Sequence, residues 1–235
     1  MQLTEFKIFD SSLDSIDNRK LLINTLNAHS FNLSKENEPF RNALAGSDIL
    51  LPDGISVVWA LKWLKNQRIE KIAGADLFNF EMKRAQRIGG KCFFLGSTES
   101  TLNKIKLRAS VEFPSITIST YSPPFISEFS ESENKKIISA INSFRPDVLF
   151  VGMTAPKQEI WAFNNKNELD VTHICCVGAV FDFYAGNVKR APDWIINCGL
   201  EWLYRLIREP KRLWRRYLVG NLKFVFSILQ EKINR

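Results

Sequence analysis

The aspartate at position 53 has the sequence context of a residue that could act as a base. Asp53 follows the apolar segment Ile49-Leu50-Leu51-Pro52 and precedes Gly54, which puts its carboxylate at the end of a predicted strand with little crowding on one side. Partial burial there would raise the pKa of the carboxyl group towards the range that suits a general base. The competing interpretation is that Asp53 caps a helix beginning at Ile55, and on the residues alone capping is the more common role.

Two glycine-containing segments could bind phosphate through the backbone. Gly96-Ser97-Thr98 and residues 152–158 each connect a predicted strand to the N-terminus of a predicted helix, where free N–H groups and the helix dipole favour anions. Neither segment matches G-x-G-x-x-G or the Walker P-loop, which disfavours a dinucleotide oxidoreductase and an NTPase. We keep Gly96 as a candidate substrate-binding residue.

The polar residues of the chain offer no evident metal site. The chain lacks the D-x-D sequence with which many nucleotide-sugar transferases hold a divalent ion, so a departing diphosphate would have to be neutralised by arginine, lysine and backbone amides. The two histidines have no neighbouring ligands at metal-binding spacing. We expect neither a metal nor another cofactor, and we expect reduced core thiols at Cys92, Cys175, Cys176 and Cys198.

Three further polar residues are ambiguous on sequence alone. Thr25 and Asn27 end a predicted strand, a position that is typical of capping. Asp182 lies between two phenylalanines, where it could form a structural salt bridge or accept a hydrogen bond from the N–H of a nucleobase. Their spacing decides neither case.

The net charge of +7 is concentrated at the C-terminal end of the chain. Residues 189–235 hold 11 of the 32 basic residues but 4 of the 25 acidic ones, which accounts for the whole excess, together with three of the six tryptophans. Such a concentration indicates an anionic partner: nucleic acid, anionic lipid or a phosphate-bearing substrate.

Two amphipathic patterns follow Pro210. The first has one apolar helical face beside three arginines, made by Leu213, Trp214, Tyr217 and Leu218 with Arg212, Arg215 and Arg216. The second repeats apolar residues at helical spacing at Leu222, Val225, Phe226 and Leu229. These patterns are typical of helices that lie in a membrane interface. A face that packs on the protein's own core would give the same spacing.

Predicted strands and helices alternate, which predicts an α/β fold with a Rossmann-like, mostly parallel sheet flanked by helices. The predicted strands are Leu21–Thr25, Asp48–Leu51, Lys91–Leu95, Ile116–Thr120, Val148–Val151 and His173–Val177. The predicted helices are Ile55–Lys65, Asp76–Ile88 with Asp76 as its N-cap, Thr101–Val111, Glu131–Ser143 with a capping box of Ser130 and Glu133, and one that starts near Pro156. Ligands of such sheets bind beyond the carboxyl ends of the strands.

The length of 235 residues predicts one α/β catalytic core, residues 1–188, and a helical appendage, residues 189–235. No apolar run approaches the ~18 residues needed to cross a bilayer. The N-terminus has no secretory signal. We therefore expect a cytoplasmic protein.

Seven segments, in order and spread over nearly the whole chain, resemble motifs of the WecG/TagA/CpsF glycosyltransferases of bacterial cell-envelope polysaccharide synthesis. They are Thr25 to Ala28, Leu51 to Trp59, Ala73 to Leu77, Pro156 to Glu159, Gly178 to Gly186, Val188 to Pro192 and Gly199 to Leu206. So many motifs in the family's order argue against chance similarity.

The resemblance implies an inverting, metal-independent transfer of an N-acetylhexosamine-type sugar, N-acetylmannosamine or its uronic acid, from a UDP donor. The implied acceptor is N-acetylglucosamine on a polyprenyl diphosphate, and the enzyme would be peripheral on the inner face of the cytoplasmic membrane. By the same resemblance, Asp53 matches the family's proposed base and Thr25 its substrate-positioning threonine. Gln158 and Asp182 match donor-pocket positions, and Asn27 belongs to the first motif.

The resemblance also assigns cations. Arg205, Arg212 and Arg215 match C-terminal arginines thought to close over the active site and grip diphosphate when the appendage meets the membrane. Lys71 stands where many relatives carry arginine, which keeps a positive charge but loses the bidentate fork. Phe125 takes the place of a frequent tyrosine, so a hydroxyl contact to the nucleotide is missing.

Two other functions fit parts of the sequence. A nucleic-acid-binding module would explain the basic, aromatic appendage, but the balanced charge of residues 1–188 and the lack of a recognised binding motif count against it. A catalytically inactive relative that acts as a scaffold would keep the motifs, although the intact Asp53 and Thr25 argue against it. We expect a UDP-sugar, a lipid-linked acceptor and the membrane surface as partners, and no nucleic acid; a homo-oligomer is compatible with these features.

Overall fold

The fold is taken from a computed structural model of the chain, and the structure describes residues 1–234 without the side chain of Asn197. Six parallel strands form one sheet in the order β2-β1-β6-β5-β3-β4. They are β1 (Leu21–Leu26), β2 (Ile49–Pro52), β3 (Lys91–Gly96), β4 (Thr117–Tyr121), β5 (Val148–Gly152) and β6 (His173–Cys176). The predicted α/β fold is confirmed, and each end of each predicted strand lies within one residue of the observed end.

The helices of the first 188 residues are α1 (Ala28–Glu36), α2 (Glu38–Ala45), α3 (Ile55–Lys65), α4 (Gly74–Ile88), α5 (Glu99–Glu112), α6 (Glu131–Phe144), α7 (Lys157–Asn165) and α8 (Val180–Tyr184). Those of the appendage are α9 (Asp193–Asn197), α10 (Glu201–Arg208), α11 (Pro210–Trp214) and α12 (Gly220–Ile233), with a π-helical turn at Arg215–Val219 between the last two. Short 3₁₀ turns lie at Leu3–Glu5 and Leu13–Ser15. The helices α1, α2 and α8 were not among those predicted from the sequence.

The sheet has helices on both faces. Successive residues of a strand point to opposite faces, and here the side chains of both faces are apolar and must be covered. Leu21 and Ile23 of β1 pack with α4, α5 and α8, whereas Leu22 packs with α6 and α7 on the other face. The strands β5 and β6 are buried along their whole length. Apart from His173, which pairs with the buried Glu81, their residues are apolar, as is usual for central parallel strands.

Three of the four cysteines lie in this core. Cys92, Cys175 and Cys176 are buried free thiols, as predicted, and burial raises the pKa of each thiol. The prediction is wrong for Cys198, which is exposed. It follows α9 in the appendage, where no sheet covers it.

Helix caps explain where several elements begin. Asn27 caps α1, because its side-chain oxygen accepts hydrogen bonds from the backbone N–H groups of His29 and Ser30, each at 3.0 Å. Ser130 accepts from the N–H of Glu133, as the predicted capping box requires. The second hydrogen bond of a capping box, from the backbone N–H of Ser130 to the Glu133 carboxylate, is absent from the described hydrogen bonds. The Glu133 carboxylate instead accepts from the hydroxyl of Tyr121.

The predicted N-cap at Asp76 is wrong. The helix α4 begins two residues earlier, with Ala73 in the N-cap position. Asp76 is the third helical residue, and its carboxylate accepts a hydrogen bond of 2.8 Å from the N–H of Ala73. An acidic residue in the first turn stabilises the helix N-terminus equally well, so sequence did not distinguish the two positions.

The appendage closes back onto the core through α12. Phe224 and Ile228 of α12 are buried, and the ring of Phe224 meets that of Phe31 in α1 edge to face at 5.4 Å. The buried carboxylate of Glu231 accepts from the N–H groups of Leu3 (2.6 Å) and Thr4 (3.1 Å). The appendage is therefore packed on the core through α12.

The apolar stripe predicted in α12 faces outward. Leu222, Val225, Phe226 and Leu229 are all exposed, with 39–64% of their surface accessible. The core contacts come instead from Phe224 and Ile228, which lie on the opposite side of the helix. Of the two interpretations of this pattern, packing on the protein's own core is therefore wrong for these four residues.

Among residues 1–234, none of the helices combines the length and the apolar character that crossing a bilayer requires.

Candidate active site

A cavity of about 1150 Å³ lies at the carboxyl edge of the sheet. Its walls come from the segments that follow β1, β2, β5 and β6, and the appendage lines it from the other side. Eight of the ten sequence-predicted site residues line it: Thr25, Asn27, Asp53, Lys71, Gln158, Asp182, Arg205 and Arg212.

The carboxyl group of Asp53 is available to this cavity. Gly54, at φ 137°, takes the N-cap position of α3, so Asp53 lies one residue outside the helix and lines the cavity wall. The backbone N–H of Asp53 donates to the carbonyl of Leu26 at 2.9 Å and ties the residue to the end of β1. The interpretation of Asp53 as a helix cap is therefore wrong.

Asn27 connects the first motif to this carboxyl group. Its side-chain oxygen is occupied by the N-terminus of α1, and its side chain also forms a hydrogen bond with Asp53. Since a carboxylate only accepts, the amide N–H₂ of Asn27 is the donor. Capping α1 therefore orients Asn27 towards Asp53, while Thr25, two residues earlier in β1, lines the cavity beside them.

The surroundings of Asp53 raise the pKa of its carboxyl group to about 6. Burial has the largest effect, and the negative charge of Glu201 adds to it. The charge of Lys71, the hydrogen bond from Asn27 and the charge of Arg216 act in the opposite direction. A carboxyl group with this pKa is ionised at neutral pH and still basic enough to accept a proton.

Four arginines of the appendage line the cavity: Arg190, Arg205, Arg212 and Arg216. The guanidinium of Arg205 lies over the ring of Phe183 at 5.3 Å, Arg212 forms an ion pair with Glu209, and Arg216 is partly buried. The Nε atoms of Arg205 and Arg216 are buried, and within residues 1–234 neither has a hydrogen-bond acceptor. Buried donors without acceptors are costly, so this wall is built to receive an anion.

Two predicted site residues lie outside the group that lines the cavity. Arg215 is exposed, and its guanidinium lies over the ring of Trp214 at 5.3 Å. Gly96 has a structural reason to be glycine: at φ 121°, a Cβ atom there would lie 2.4 Å from the carbonyl oxygen of Gly152 in the neighbouring strand. Its neighbour Ser97 lines the cavity instead.

Gln158 is held at the cavity wall from both ends of its amide. Its oxygen accepts from the N–H of Met153 at 3.2 Å, and its nitrogen donates to Glu159 at 2.8 Å. Gly178, at φ 56°, leaves space beside this amide, since a Cβ atom there would lie 3.6 Å from the Gln158 nitrogen. Burial raises the pKa of Glu159 to about 7.

Asp182 and Phe125 lie on other parts of the wall. The carboxylate of Asp182, in the first turn of α8, accepts a hydrogen bond of 3.3 Å from the side chain of Asn187 and lines the cavity with its remaining surface. Phe125 is 98% exposed in the segment 123–127, which lines the cavity mouth.

Several lining residues were missed by the sequence analysis as site residues. Glu201 pairs with Arg190 at 3.4 Å, and both line the cavity with Glu159, His29 and Arg216. Burial lowers the pKa of His29 to about 4, so its imidazole is neutral at pH 7. Glu201, Arg190 and Glu159 lie inside the quoted motifs, which was the one available signal; Arg216 lies outside all of them.

Comparison with known proteins agrees with this geometry. The model of the glycosyl transferase WecG/TagA/CpsF family matches residues 2–235. A protein of Bacillus subtilis (strain 168) is 30% identical over 214 residues, covering 91% of this chain and 81% of its own length. One of Bacillus spizizenii (strain ATCC 23059 / NRRL B-14472 / W23) is 31% identical over 232 residues, covering 97% and 88%.

A third relative, from Staphylococcus aureus (strain MW2), is 26% identical over 215 residues, covering 92% of this chain and 83% of its own. All three are named N-acetylglucosaminyldiphosphoundecaprenol N-acetyl-beta-D-mannosaminyltransferase. The match of the family model to nearly every residue agrees with the order of the seven motifs. The chain belongs to the WecG/TagA/CpsF family of glycosyltransferases.

Proposed function

We propose that this enzyme transfers N-acetylmannosamine, or its uronic acid, from a UDP donor to N-acetylglucosamine carried on a polyprenyl diphosphate. The names of the three relatives supply the acceptor and the sugar. The observation that carries the proposal is one cavity that holds the Asp53 carboxyl group on the sheet side and Arg205, Arg212 and Arg216 on the appendage side.

In the proposed reaction, Asp53 is the general base. It takes the proton of the acceptor hydroxyl as that oxygen attacks the anomeric carbon of the donor. The bond between that carbon and the phosphate oxygen of UDP breaks, and UDP leaves with the electron pair, so the anomeric configuration inverts. One base suffices for this displacement, and the hydrogen bond from Asn27 orients it.

The departing diphosphate needs positive charge. Arg205 offers a buried Nε with no acceptor within the described residues, and Lys71 adds a cation at the cavity wall. Preorganised donors of this kind stabilise charge that develops in the transition state. In this proposal Thr25, Gln158 and Asp182 position the substrates, and no divalent ion takes part.

The appendage, residues 189–235, brings the cavity to the membrane in this proposal. Its outward stripe of Leu222, Val225, Phe226 and Leu229 is exposed, and it carries the basic excess of the chain. Apolar residues beside cations favour binding to anionic lipid. An acceptor anchored in the cytoplasmic membrane is then concentrated at the enzyme.

A panel of UDP-sugars incubated with lipid-linked N-acetylglucosamine, with and without a chelator, tests the reaction. We expect a disaccharide product from UDP-N-acetylmannosamine or its uronic acid, at the same rate in the chelator. Turnover of neither donor would contradict the proposed substrate and would favour the scaffold alternative. Loss of turnover in the chelator would contradict metal independence.

Membrane binding is tested better by point substitution than by deletion, because Phe224, Ile228 and Glu231 tie the appendage to the core. We expect the double variant Leu222→Gln/Phe226→Gln to bind phosphatidylglycerol vesicles at least about tenfold more weakly, since each apolar side chain contributes roughly 1.5–3 kcal/mol when buried. Co-sedimentation measures the bound fraction.

The matched control is Leu107→Gln/Val111→Gln on α5. These residues have the same spacing and are 70% and 81% exposed, but they lie outside the appendage. The control should bind vesicles like the wild type. Equal binding by the wild type and both double variants would refute the role of the stripe.

A further inference from the structure

Arg216 lines this cavity but received no role from the family resemblance, and we propose that it binds the diphosphate of the lipid-linked acceptor. The inference rests on the proposed function and assigns a substrate contact to a residue that the sequence analysis placed only on a membrane-facing helix. It also predicts which of two adjacent arginines, Arg215 or Arg216, acts in the active site.

The backbone explains why Arg216 faces the cavity. The segment Arg215–Val219 is π-helical and lies between α11 and α12. A π turn inserts an extra residue relative to an α-helix and so changes which side chains share a face, and such turns are frequent at functional sites. Here Arg215 is exposed beside Trp214, whereas Arg216, the next residue, is partly buried and lines the cavity.

The environment of Arg216 calls for an anion. Its Nε atom is buried and, among the described residues, has no acceptor. Burial lowers the pKa of its guanidinium, and the positive charges of Arg205 and Arg212 lower it further, against the opposing effects of Tyr217 and Asp53. Positive charges held close together in a partly buried wall are costly until an anion occupies the space between them.

A groove that adjoins the cavity indicates which diphosphate Arg216 binds. The groove has a volume of about 310 Å³ and a mostly apolar lining of Trp202, Tyr217, Leu218, Asn221, Leu222 and Val225. Four of these six residues, Trp202, Tyr217, Asn221 and Val225, also line the main cavity, so the two spaces adjoin. The groove reaches Leu222, which belongs to the exposed stripe.

The acceptor diphosphate carries a hydrocarbon chain, whereas the donor diphosphate carries a nucleoside. Arg216 lines the cavity, and the next residue, Tyr217, lines both the cavity and the apolar groove, so a diphosphate that carries a hydrocarbon chain fits this cation. Arg216 is also close enough to Asp53 to lower the pKa of that carboxyl group. One acceptor molecule can therefore place its hydroxyl at Asp53 and its diphosphate at Arg216. The order from Asp53 outward is then hydroxyl, sugar, diphosphate at Arg216 and chain in the groove.

The test compares KM values for two soluble acceptors in the full-length enzyme. One is N-acetylglucosamine on a short-chain prenyl diphosphate, and the other is an alkyl N-acetylglucosaminide of equal chain length without phosphate. We expect Arg216→Met to raise the KM for the diphosphate acceptor roughly tenfold to hundredfold, the loss typical of a charge-assisted hydrogen bond. The KM values for the alkyl acceptor and for the UDP donor should change less than about twofold, and Arg216→Lys should recover part of the loss.

Two further variants serve as comparisons. Arg208→Met removes a positive charge from the same appendage at a guanidinium that lies over Tyr204, 5.3 Å from the ring centre, and it should leave the KM for the diphosphate acceptor unchanged. Arg215→Met tests the adjacent arginine. A loss with Arg215→Met but not with Arg216→Met, or a rise in donor KM with Arg216→Met, would overturn the proposal.

A binding measurement separates this proposal from the proposed function. Titration calorimetry with the short-chain prenyl diphosphate alone needs no turnover. Weaker binding by Arg216→Met than by wild type and Arg208→Met, with unchanged thermal unfolding, supports the assignment even if the sugar donor proves to be another one. Equal binding by all three proteins overturns it.

Discussion

Replacing Asp53 with asparagine lowers the turnover number by roughly 10² to 10⁴, the range that general-base catalysis supplies. The asparagine keeps the size of the side chain and its hydrogen bond to Asn27, so the KM values of both substrates should change little. Steady-state kinetics with the UDP donor and the lipid-linked acceptor measure the effect. Asp170→Asn, at an exposed carboxylate, is the control and should turn over at the wild-type rate.

The same substitution should stabilise the protein. The pKa of Asp53 is about 6 in the folded chain against an ordinary value of 3.8, so ionisation of this carboxyl group is disfavoured in the folded state. Its contribution to stability is present below pH 3.8 and is lost as the pH rises through 6. At pH 8 the Asp53→Asn variant should therefore gain about 1–3 kcal/mol in unfolding free energy, measured by urea denaturation.

At pH 4 the gain in unfolding free energy of the Asp53→Asn variant should be small. A variant that loses turnover but gains stability is typical of an active-site residue whose ionised form is needed for catalysis and destabilises the fold. A variant that loses both activity and stability would instead indicate that Asp53 supports the fold.

The strands were predictable because the signal for each is local. A short run of buried apolar residues such as Val148–Val151 has no good alternative to a central strand between helices, and observed and predicted ends differ by one residue. The capping role of Asn27 was predictable for the same reason, since strand-end asparagines bind free helix N–H groups. Its second role, the hydrogen bond to Asp53, depends on the pairing of β1 with β2 and could not be seen locally.

The cations show where sequence reasoning failed. Helical spacing treats Arg212, Arg215 and Arg216 as one flank of a regular α-helix, but the π turn at Arg215–Val219 breaks that regularity. In the structure Arg215 is exposed, whereas its neighbour Arg216 is partly buried and lines the cavity. No periodicity argument finds such a turn, because helical periodicity assumes a constant number of residues per turn.

The acidic residues were missed for a related reason. Glu201 acts on Asp53 across 148 positions of sequence, because the appendage folds back over the sheet edge. Glu201 is the first residue of α10 and lines the same cavity as Asp53. The spacing of residues along the sequence does not predict long-range contacts of this kind.

The pH dependence of the reaction follows from the same pKa. A base works only when ionised, so kcat/KM should fall as the pH drops through about 6, with a loss of about tenfold for each further unit and about a hundredfold at pH 4. Glu159, with a pKa of about 7, is a second carboxyl group of the cavity wall that titrates near this range. If ionisation of Asp53 causes the acid limb of the kcat/KM profile, the Glu159→Gln variant should keep this limb at about pH 6.

The profile of kcat/KM against pH for the wild-type enzyme, with saturation of the second substrate, tests the central claim that the Asp53 carboxylate deprotonates the acceptor hydroxyl. The predicted result is a single acid limb near pH 6 that persists in Glu159→Gln. A rate that stays level from pH 7 down to pH 4.5, or a limb that disappears in Glu159→Gln, would contradict the claim.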